Sequence, residues 1–227
     1  MPRSLRLKPQ VPLEPLWPPR YIHKVGVELE GGWLDDSQPQ GMHGDGSVTV
    51  VAPWVGEISS PAMLPHELPP WIAKNYCDII NASCGFHIHV STRHHGDYAR
   101  LMQEEFSTFL LSQFEAWGNK LKRLREYQPF WQRLAGENDF CQKTFIPEQQ
   151  WHARSRSYER YTQLNYCHGV HGTLELRLLP MFPDVRDAIS ATKLFLSCAN
   201  GYIAHSRLAN KLVQRYNLSM DLQEATT

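Results

Sequence analysis

Three short segments of the chain alternate charged or imidazole residues with apolar residues. They are 25–30 (Val-Gly-Val-Glu-Leu-Glu), 85–90 (Gly-Phe-His-Ile-His-Val) and 173–178 (Thr-Leu-Glu-Leu-Arg-Leu). A period of two predicts β-strands with one apolar face and one polar face. If the three strands share a sheet, the polar side chains gather on one face, and they are Glu28, Glu30, His87, His89, Glu175 and Arg177. Carboxylates, imidazoles and a guanidinium together are typical of a site for a divalent metal and phosphate.

One alternative is that this face is simply solvated, as in many antiparallel sheets. A solvated face usually mixes Lys, Thr, Ser and Glu, whereas the paired positions here are Glu/Glu, His/His and Glu/Arg, without Lys. Clustered carboxylates repel one another and resist desolvation, so a bound cation is the natural compensation. Carboxylates with few imidazoles suit Mg²⁺ or Mn²⁺ better than a closed zinc site. The planar guanidinium of Arg177 matches phosphate oxygens.

The composition is that of a globular protein without a strong charge bias. The 227 residues include 23 basic and 23 acidic residues, and this balance predicts no nucleic-acid partner. No apolar run reaches the length of a membrane span, so we expect no membrane partner. Five cysteines without a C-x-x-C pair indicate reduced thiols and a cytoplasmic protein. Residues 1–20 are Pro-rich and predict a flexible N-terminal arm, and residues 21–227 are predicted to form a single domain.

The pattern of elements predicts an α+β fold with a mainly antiparallel sheet, because the strands alternate rather than running continuously apolar. The predicted strands are 23–30, 47–51, 55–60, 85–91 and 172–179. The predicted helices are 71–82, 97–125 and 185–213, with Asp97 as the cap of the second. The irregular segment 127–160 is typical of a lid or a substrate loop.

Two further polar segments lie between the first two alternating strands. Asp45 and Ser47 lie in a glycine-rich frame, and Glu57 and Ser59 share one face of a predicted strand. Glycine allows the backbone to approach a ligand closely. The chain contains neither G-x-x-x-x-G-K-[ST] nor G-x-G-x-x-G, so a bound nucleotide would need another scaffold.

In this order the motifs resemble those of the amidoligase family, within the carboxylate–amine ligase group that includes glutamine synthetase and glutamate–cysteine ligase. The matching elements cover about residues 23–180, and they are Gly26-x-Glu28-x-Glu30, Asp45-Gly46-Ser47, Glu57-x-x-Ser60-Pro61, Gly85-x-His87-x-His89, Arg160-Tyr161-x-x-x-Asn165 and Thr173-x-Glu175-x-Arg177. Each motif is short, and the six together in the family's order are more specific.

The resemblance implies a glutamine synthetase-like catalytic domain, in which a concave, charged face of the sheet holds ATP and Mg²⁺ or Mn²⁺ and helices cover the other face. The residues that it implies as metal ligands are Glu28, Glu30, Glu57, His87 and Glu175. It implies contacts to the ATP phosphates from His89 and Arg177, which with Glu57 would form the catalytic set. Contacts to substrate or phosphate are implied for Asp45, Ser47, Arg160 and Asn165. A further acidic ligand of glutamine synthetase has Glu67 as its one nearby candidate.

The implied reaction converts a small-molecule or peptide carboxylate to an acyl phosphate, which an amine then converts to an amide. Three alternatives stay open from the residues themselves. A metal-dependent hydrolase would use the same Glu and His side chains to activate water. A kinase-like enzyme would stop after phosphoryl transfer. A binding or structural protein would retain the sheet without catalysis.

Overall fold

The computed structural model describes residues 19–143, 161–167 and 171–224, with side chains up to residue 208. Its main feature is a five-stranded antiparallel sheet. In spatial order the strands are β2 (Trp54–Ser59), β1 (Ile22–Trp33), β3 (Gly85–Thr92), β7 (Leu174–Pro180) and β6 (Leu164–Tyr166). A short hairpin forms a separate two-stranded sheet, and its strands are β4 (Glu137–Asn138) and β5 (Cys141–Gln142).

Six helices complete the described part of the chain. They are α1 (Leu68–Asn75), α2 (His95–Leu101), α3 (Glu104–Lys120), α4 (Lys122–Arg125), α5 (Gln128–Ala135) and α6 (Val185–Glu224). The predicted α+β class with a mainly antiparallel sheet is therefore confirmed. No helix in the described ranges is both long enough and apolar enough to cross a bilayer.

The core lies between the helices and the apolar side chains of the three central strands. Val27, Ile88 and Leu176 face each other across β1, β3 and β7, and each is almost completely buried. Phe106 of α3 and Phe195 of α6 join the same cluster. Burying side chains of this size stabilises the fold by about 1.5–3 kcal/mol each, so the alternating strands are held in one orientation.

The predicted strand 47–51 is wrong: a turn lies at 46–47, and 48–51 form no regular element. The Asp45 carboxylate accepts hydrogen bonds from the Ser47 amide (2.7 Å) and the Ser47 hydroxyl (2.8 Å). This local bonding competes with pairing to a neighbouring strand. Val51 is 93 % exposed, so the apolar run Val48-Thr49-Val50-Val51 does not mark a buried strand. The short strand β6 was not predicted.

The long predicted helix 97–125 is three helices, α2, α3 and α4. The first break occurs at Gln103, whose backbone is extended with ψ 141°. The Tyr166 hydroxyl donates to the Leu101 carbonyl at 3.1 Å, which satisfies an acceptor that a continuous helix would use itself. Asp97 is not a cap either: it lies inside the first turn of α2 and binds Arg207 of α6.

The first predicted helix, 71–82, begins and ends earlier than its pattern suggested, at Leu68 and Asn75. After it the chain turns back to β1, where the Asp78 and Ile79 amides donate to the Gly32 carbonyl at 3.0 Å. The last helix continues to Glu224, beyond the predicted 213. Within 127–160, α5 and the β4–β5 hairpin form the described portion, and 144–160 lie outside the described residues.

Candidate metal centre

The registers of the sheet bring the alternating polar residues next to one another. Glu28 of β1 lies opposite Ser59 of β2 and opposite His87 of β3. His89 lies opposite Glu175 of β7, and Glu175 lies opposite Asn165 of β6. Residues directly opposite in a sheet have adjacent side chains on the same side. The two sets of pairs are joined through His87 and His89, two positions apart on β3, and together they form one polar row across the sheet.

Glu28 is held by two imidazoles. Its Oε2 lies 3.1 Å from His87 Nδ1, and its Oε1 lies 3.2 Å from His89 Nε2. Burial opposes ionisation of Glu28, but the bonds to His87 and His89 outweigh it and hold the pKa of this carboxyl well below its usual range. Burial works against the His89 cation too, and Glu28 and Glu175 nevertheless raise the pKa of His89. The carboxylate form of Glu28 therefore prevails at neutral pH.

Glu175 is buried and fully engaged by its neighbours. Arg177 Nη1 donates to Oε1 at 2.6 Å, and Asn165 Nδ2 donates to Oε2 at 2.7 Å. Burial opposes its ionisation, yet Arg177 and the imidazoles lower the pKa of Glu175. Arg177 itself stacks on Tyr161, with the guanidinium carbon 5.4 Å from the ring centroid. Both side chains are thereby fixed in orientation.

A β-bulge in β7 interrupts the alternation beside Arg177. Ile88 lies opposite Leu176, whereas Phe86 lies opposite Leu179, so one extra residue of β7 is inserted opposite His87. The Arg177 amide donates to the Gln163 carbonyl at 3.0 Å. Beyond the bulge, Leu179 instead of Leu178 pairs with Phe86 across the core side of the sheet.

A second acidic group forms at the junction of β1 and β2. Its members are Glu30, Asp45 and Glu57, and one carboxylate oxygen from each lies within 4.8 Å of the other two. Glu30 Oε2 accepts a hydrogen bond from the Gly85 amide at 2.5 Å. Glu57 accepts one from the Ser59 hydroxyl at 3.2 Å. Burial, together with the charges of Glu28 and Glu30, raises the pKa of Glu57 to about 7.

Asp45 reaches this group because its loop pairs with β2. The amide of His43 donates to the Glu57 carbonyl and the amide of Glu57 donates to the His43 carbonyl, both at 2.8 Å. A Cβ at Gly56 would collide with the His43 carbonyl oxygen, so the close approach requires glycine there.

The other group that could hold a cation, called the first group, consists of Glu28, His89 and Glu175. One ligand atom from each of these residues lies within 4.8 Å of the other two. His87 lies between the two groups, with Nδ1 3.6 Å from Glu175 and Nε2 3.6 Å from Glu30. The family resemblance assigned His87 to the metal and His89 to phosphate, whereas the geometry groups His89 with the carboxylates. Both roles stay predictions.

The donor set fits hard divalent cations. Five carboxylates converge there, with Arg177 in an ion pair with one of them and two imidazoles beside them. Burial and the neighbouring carboxylates Glu28 and Glu30 raise the pKa of Glu57, so another negative charge in the second group is disfavoured. Oxygen-rich sites with one imidazole suit Mg²⁺ or Mn²⁺.

The remaining predicted site residues are placed less centrally. Ser47 contacts the centre through Asp45. Arg160 lies outside the described residues. Glu67 accepts a hydrogen bond from the Leu64 amide at 2.6 Å and is not in either acidic group of the described residues, so the structure does not place it beside the other candidate ligands.

Two contacts were not foreseen from the sequence. Cys167 Sγ lies 3.5 Å from Glu175 Oε2, and burial and the Glu175 carboxylate raise the pKa of this thiol. Thr173 Oγ1 lies 3.3 Å from His89 Nδ1 and orients that ring. The available signal was strand alternation, since Cys167 follows Asn165 by two positions and Thr173 precedes Glu175 by two.

The arrangement can bind cations through two oxygen-rich groups and can offer a guanidinium beside them. That combination neutralises charge at phosphate or carboxylate oxygens. Comparisons of the chain with protein-family models, with curated proteins and with solved structures found no match. The resemblance to the amidoligase family therefore stays a prediction from the six motifs.

Proposed function

We propose that the protein is an ATP-dependent carboxylate–amine ligase that works with Mg²⁺ or Mn²⁺. The observation that carries this proposal is the convergence of two oxygen-rich groups and Arg177 along one row of the sheet. The order of the motifs along the chain supports the same reading. Its substrates would be a small-molecule or peptide carboxylate and an amine.

Glu28, His89 and Glu175 would hold one cation, and Glu30, Asp45 and Glu57 a second. Bound cations would supply charge neutralisation at phosphate oxygens. His87 would keep the two groups in register through its contacts with Glu28 and Glu30. Asn165 and Thr173 would orient Glu175 and His89.

Arg177 is suited to bind phosphate while it holds Glu175. Its Nη1 is bonded to Glu175, and its buried Nε has no hydrogen-bond partner among the described residues. An unsatisfied N–H on a buried guanidinium costs free energy, which a phosphate oxygen would recover. Arg177 would thus stabilise charge on the transferred phosphoryl group.

In the proposed reaction a carboxylate oxygen of the substrate attacks the terminal phosphorus of ATP, and the bond from that phosphorus to the ADP oxygen breaks. The amine nitrogen then attacks the acyl carbon, phosphate leaves and the nitrogen loses a proton. No protein nucleophile is needed. The nearest thiol to Glu175, Cys167, is kept protonated by its raised pKa and is unsuited to attack.

The decisive experiment separates nucleotide products after incubation with ATP, Mg²⁺ and candidate amino acids or peptide fragments. We expect ADP and phosphate, and hydroxylamine should trap the activated carboxylate as a hydroxamate. Arg177→Lys should reduce turnover about 10²–10³-fold, since lysine keeps the charge but loses the planar fork. AMP and pyrophosphate as main products would contradict the proposal, as would an unchanged rate for Arg177→Lys.

A second candidate function is that of a metal-dependent hydrolase. The observation that favours it is that two groups able to bind cations lie on either side of His87, as in two-metal hydrolases. Hydrolysis that needs metal but not ATP would decide for it. ADP formation without hydroxamate or amide would indicate a phosphotransferase. We also propose a cytoplasmic location, which the five free cysteines support.

A further inference from the structure

A basic cleft lies at the end of the sheet where β1 begins and β3 ends. Its volume is about 670 Å³, which is within the range of small-molecule sites. The walls come from the start of β1, the segment after β3, the loop before α1 and helix α6. The basic lining residues are Arg20, His23, His66, Arg93, His94 and Arg207. The other walls are apolar or aromatic and include Tyr21, Ile22 and Leu64, and the described lining residues include no Asp or Glu.

The Arg207 side chain is held in place by Asp97 and Tyr21. Its Nε and Nη2 donate to the two oxygens of Asp97 at 2.7 and 2.6 Å, and its guanidinium stacks on Tyr21 at 4.7 Å. Asp97 is fully buried and lies 3.4 Å from Arg100 as well. Arg207 and Arg100 thus balance the charge of Asp97, so Asp97 does not neutralise the other basic residues of the cleft.

Arg20 and Arg93 are the cleft arginines that can pair with a bound anion. Both are exposed, and no carboxylate of the described residues lies within ion-pair distance of either. Arg20 and Arg93 line the same concave site without a carboxylate to neutralise them, so their charges repel one another and a bound anion relieves that repulsion. Tyr21 and Leu64 offer apolar surface beside these charges.

The cleft is separate from the candidate metal centre. Arg93 lies four positions after His89, just past the end of β3, and Ile22 lies six positions before Glu28 in β1. At about 3.3 Å per residue these spans are roughly 13 and 20 Å. The charges also have opposite sign, because the metal centre is rich in carboxylates and the cleft is rich in arginine.

We propose that this cleft binds a small organic polyanion, with phosphate or carboxylate groups paired to Arg20 and Arg93 and an apolar portion against Tyr21 and Leu64. The site does not depend on the proposed ligase activity. It would act as an effector site or a second ligand site, and its ligand would bind without metal.

The test is calorimetric titration of the metal-free full chain with tripolyphosphate and, separately, with citrate. We expect saturable binding of at least one, and the preferred probe identifies the anionic group. The double variant Arg20→Gln/Arg93→Gln should weaken binding about tenfold or more, since two charge-assisted contacts are lost. Arg186→Gln, an exposed arginine outside the cleft, is the matched control and should bind as the wild type does.

Arg177→Gln distinguishes the cleft from the metal centre and should leave binding unchanged. Because Arg20 and Arg93 are exposed, the double variant should fold normally, which thermal unfolding can verify. Absence of saturable binding at millimolar concentrations would overturn the proposal. Equal weakening by Arg186→Gln would show general charge attraction instead, and loss of binding in Arg177→Gln would place the anion at the metal centre.

Discussion

At the scale of single residues, the centre is organised by opposite shifts in carboxyl pKa. Glu28 and Glu175 have lowered pKa values because imidazoles and Arg177 outweigh the effect of burial. Glu57 has a raised pKa because burial and two neighbouring carboxylates outweigh His87. Glu28 and Glu175 are thus ionised in the absence of a cation, and a bound cation would favour the ionised form of Glu57.

The Glu57 shift predicts a pH-dependent effect on stability. The folded-state pKa of about 7 exceeds the ordinary value of 4.5, so the folded protein binds more protons than the unfolded one between these values. Stability from this group is present below pH 4.5 and is lost as the pH rises through 7. We therefore expect metal-free Glu57→Gln to be more stable than the wild type at pH 8, by about 1–2 kcal/mol after allowance for solvent screening.

Thermal unfolding in EDTA at pH 5 and pH 8 measures this difference. Near pH 5 the two proteins should be much closer in stability. With Mn²⁺ the order should reverse, since the wild type gains binding free energy and the variant loses a ligand. Glu115→Gln, at an exposed position on α3, is the control and should follow the wild type throughout. A pH-independent difference would contradict the raised pKa.

Asp45 provides the test of the second acidic group. Asp45→Asn keeps the size and the local turn but removes a charge, so one of the two groups should bind Mn²⁺ at least about tenfold more weakly. Equilibrium dialysis should show the high-affinity stoichiometry fall by one. Asp36→Asn, at an exposed position outside the centre, should leave it unchanged. An unaltered stoichiometry in Asp45→Asn would remove Asp45 from the ligand set.

At the scale of elements, strand pairing sets the distances within the centre. Gly85 at the start of β3 packs against two of its side chains, and an added Cβ would lie 2.5 Å from His87 Nε2 and 2.8 Å from Glu30 Oε2. At Gly26 of β1 the nearest atom would be Ser60 Oγ at 3.5 Å, an ordinary contact. The two glycines thus differ in their closeness to the centre although both lie in central strands.

Gly85→Ala should therefore displace His87 and Glu30 and weaken Mn²⁺ binding about tenfold or more, while the sheet stays paired. Gly26→Ala is its matched control and should bind Mn²⁺ normally. Calorimetry measures the affinity, and circular dichroism checks that both variants fold. Normal binding in Gly85→Ala would show that the close packing of Gly85 against His87 and Glu30 does not set the positions of these side chains.

At the scale of the whole molecule, Asp97 joins two helices that are distant in sequence. It is fully buried and receives two hydrogen bonds from Arg207, 110 residues away. Removing one member of such a pair leaves the other charge without its partner. Asp97→Asn should lower the free energy of unfolding by about 2–3 kcal/mol, allowing for the partial exposure of Arg207.

Urea denaturation monitored by circular dichroism measures this loss. Asp184→Asn is the control, because Asp184 pairs with the exposed Arg186 near the start of α6. Exposed pairs contribute little, so its urea midpoint should stay near that of the wild type. Equal effects of the two substitutions would mean that the Asp97 pair does not link α2 to α6 energetically.

Much of the central sheet could be predicted because its signal is local. The period-two patterns around Glu28, His87 and Glu175 correctly predicted three strands, since alternation depends on neighbouring residues only. The same kind of reasoning was wrong at 47–51, where Asp45 forms a turn, and at 97–125, where three amphipathic helices share one apparent period. Local patterns do not register a partner such as Tyr166, which is far along the chain.

The sequence by itself determined which side chains share a strand face, and so which residues were candidates for metal and phosphate. Only the tertiary structure decided that Asp45 joins Glu30 and Glu57, that His89 groups with Glu28 and Glu175, and that a basic cleft forms at the far end of the sheet. The physical reason is that alternation sets only the face on which each side chain of a strand lies. The distances between side chains of different strands depend on the strand register, on the bulge in β7 and on the pairing of the His43 loop with β2. These are long-range contacts, and no short motif encodes them.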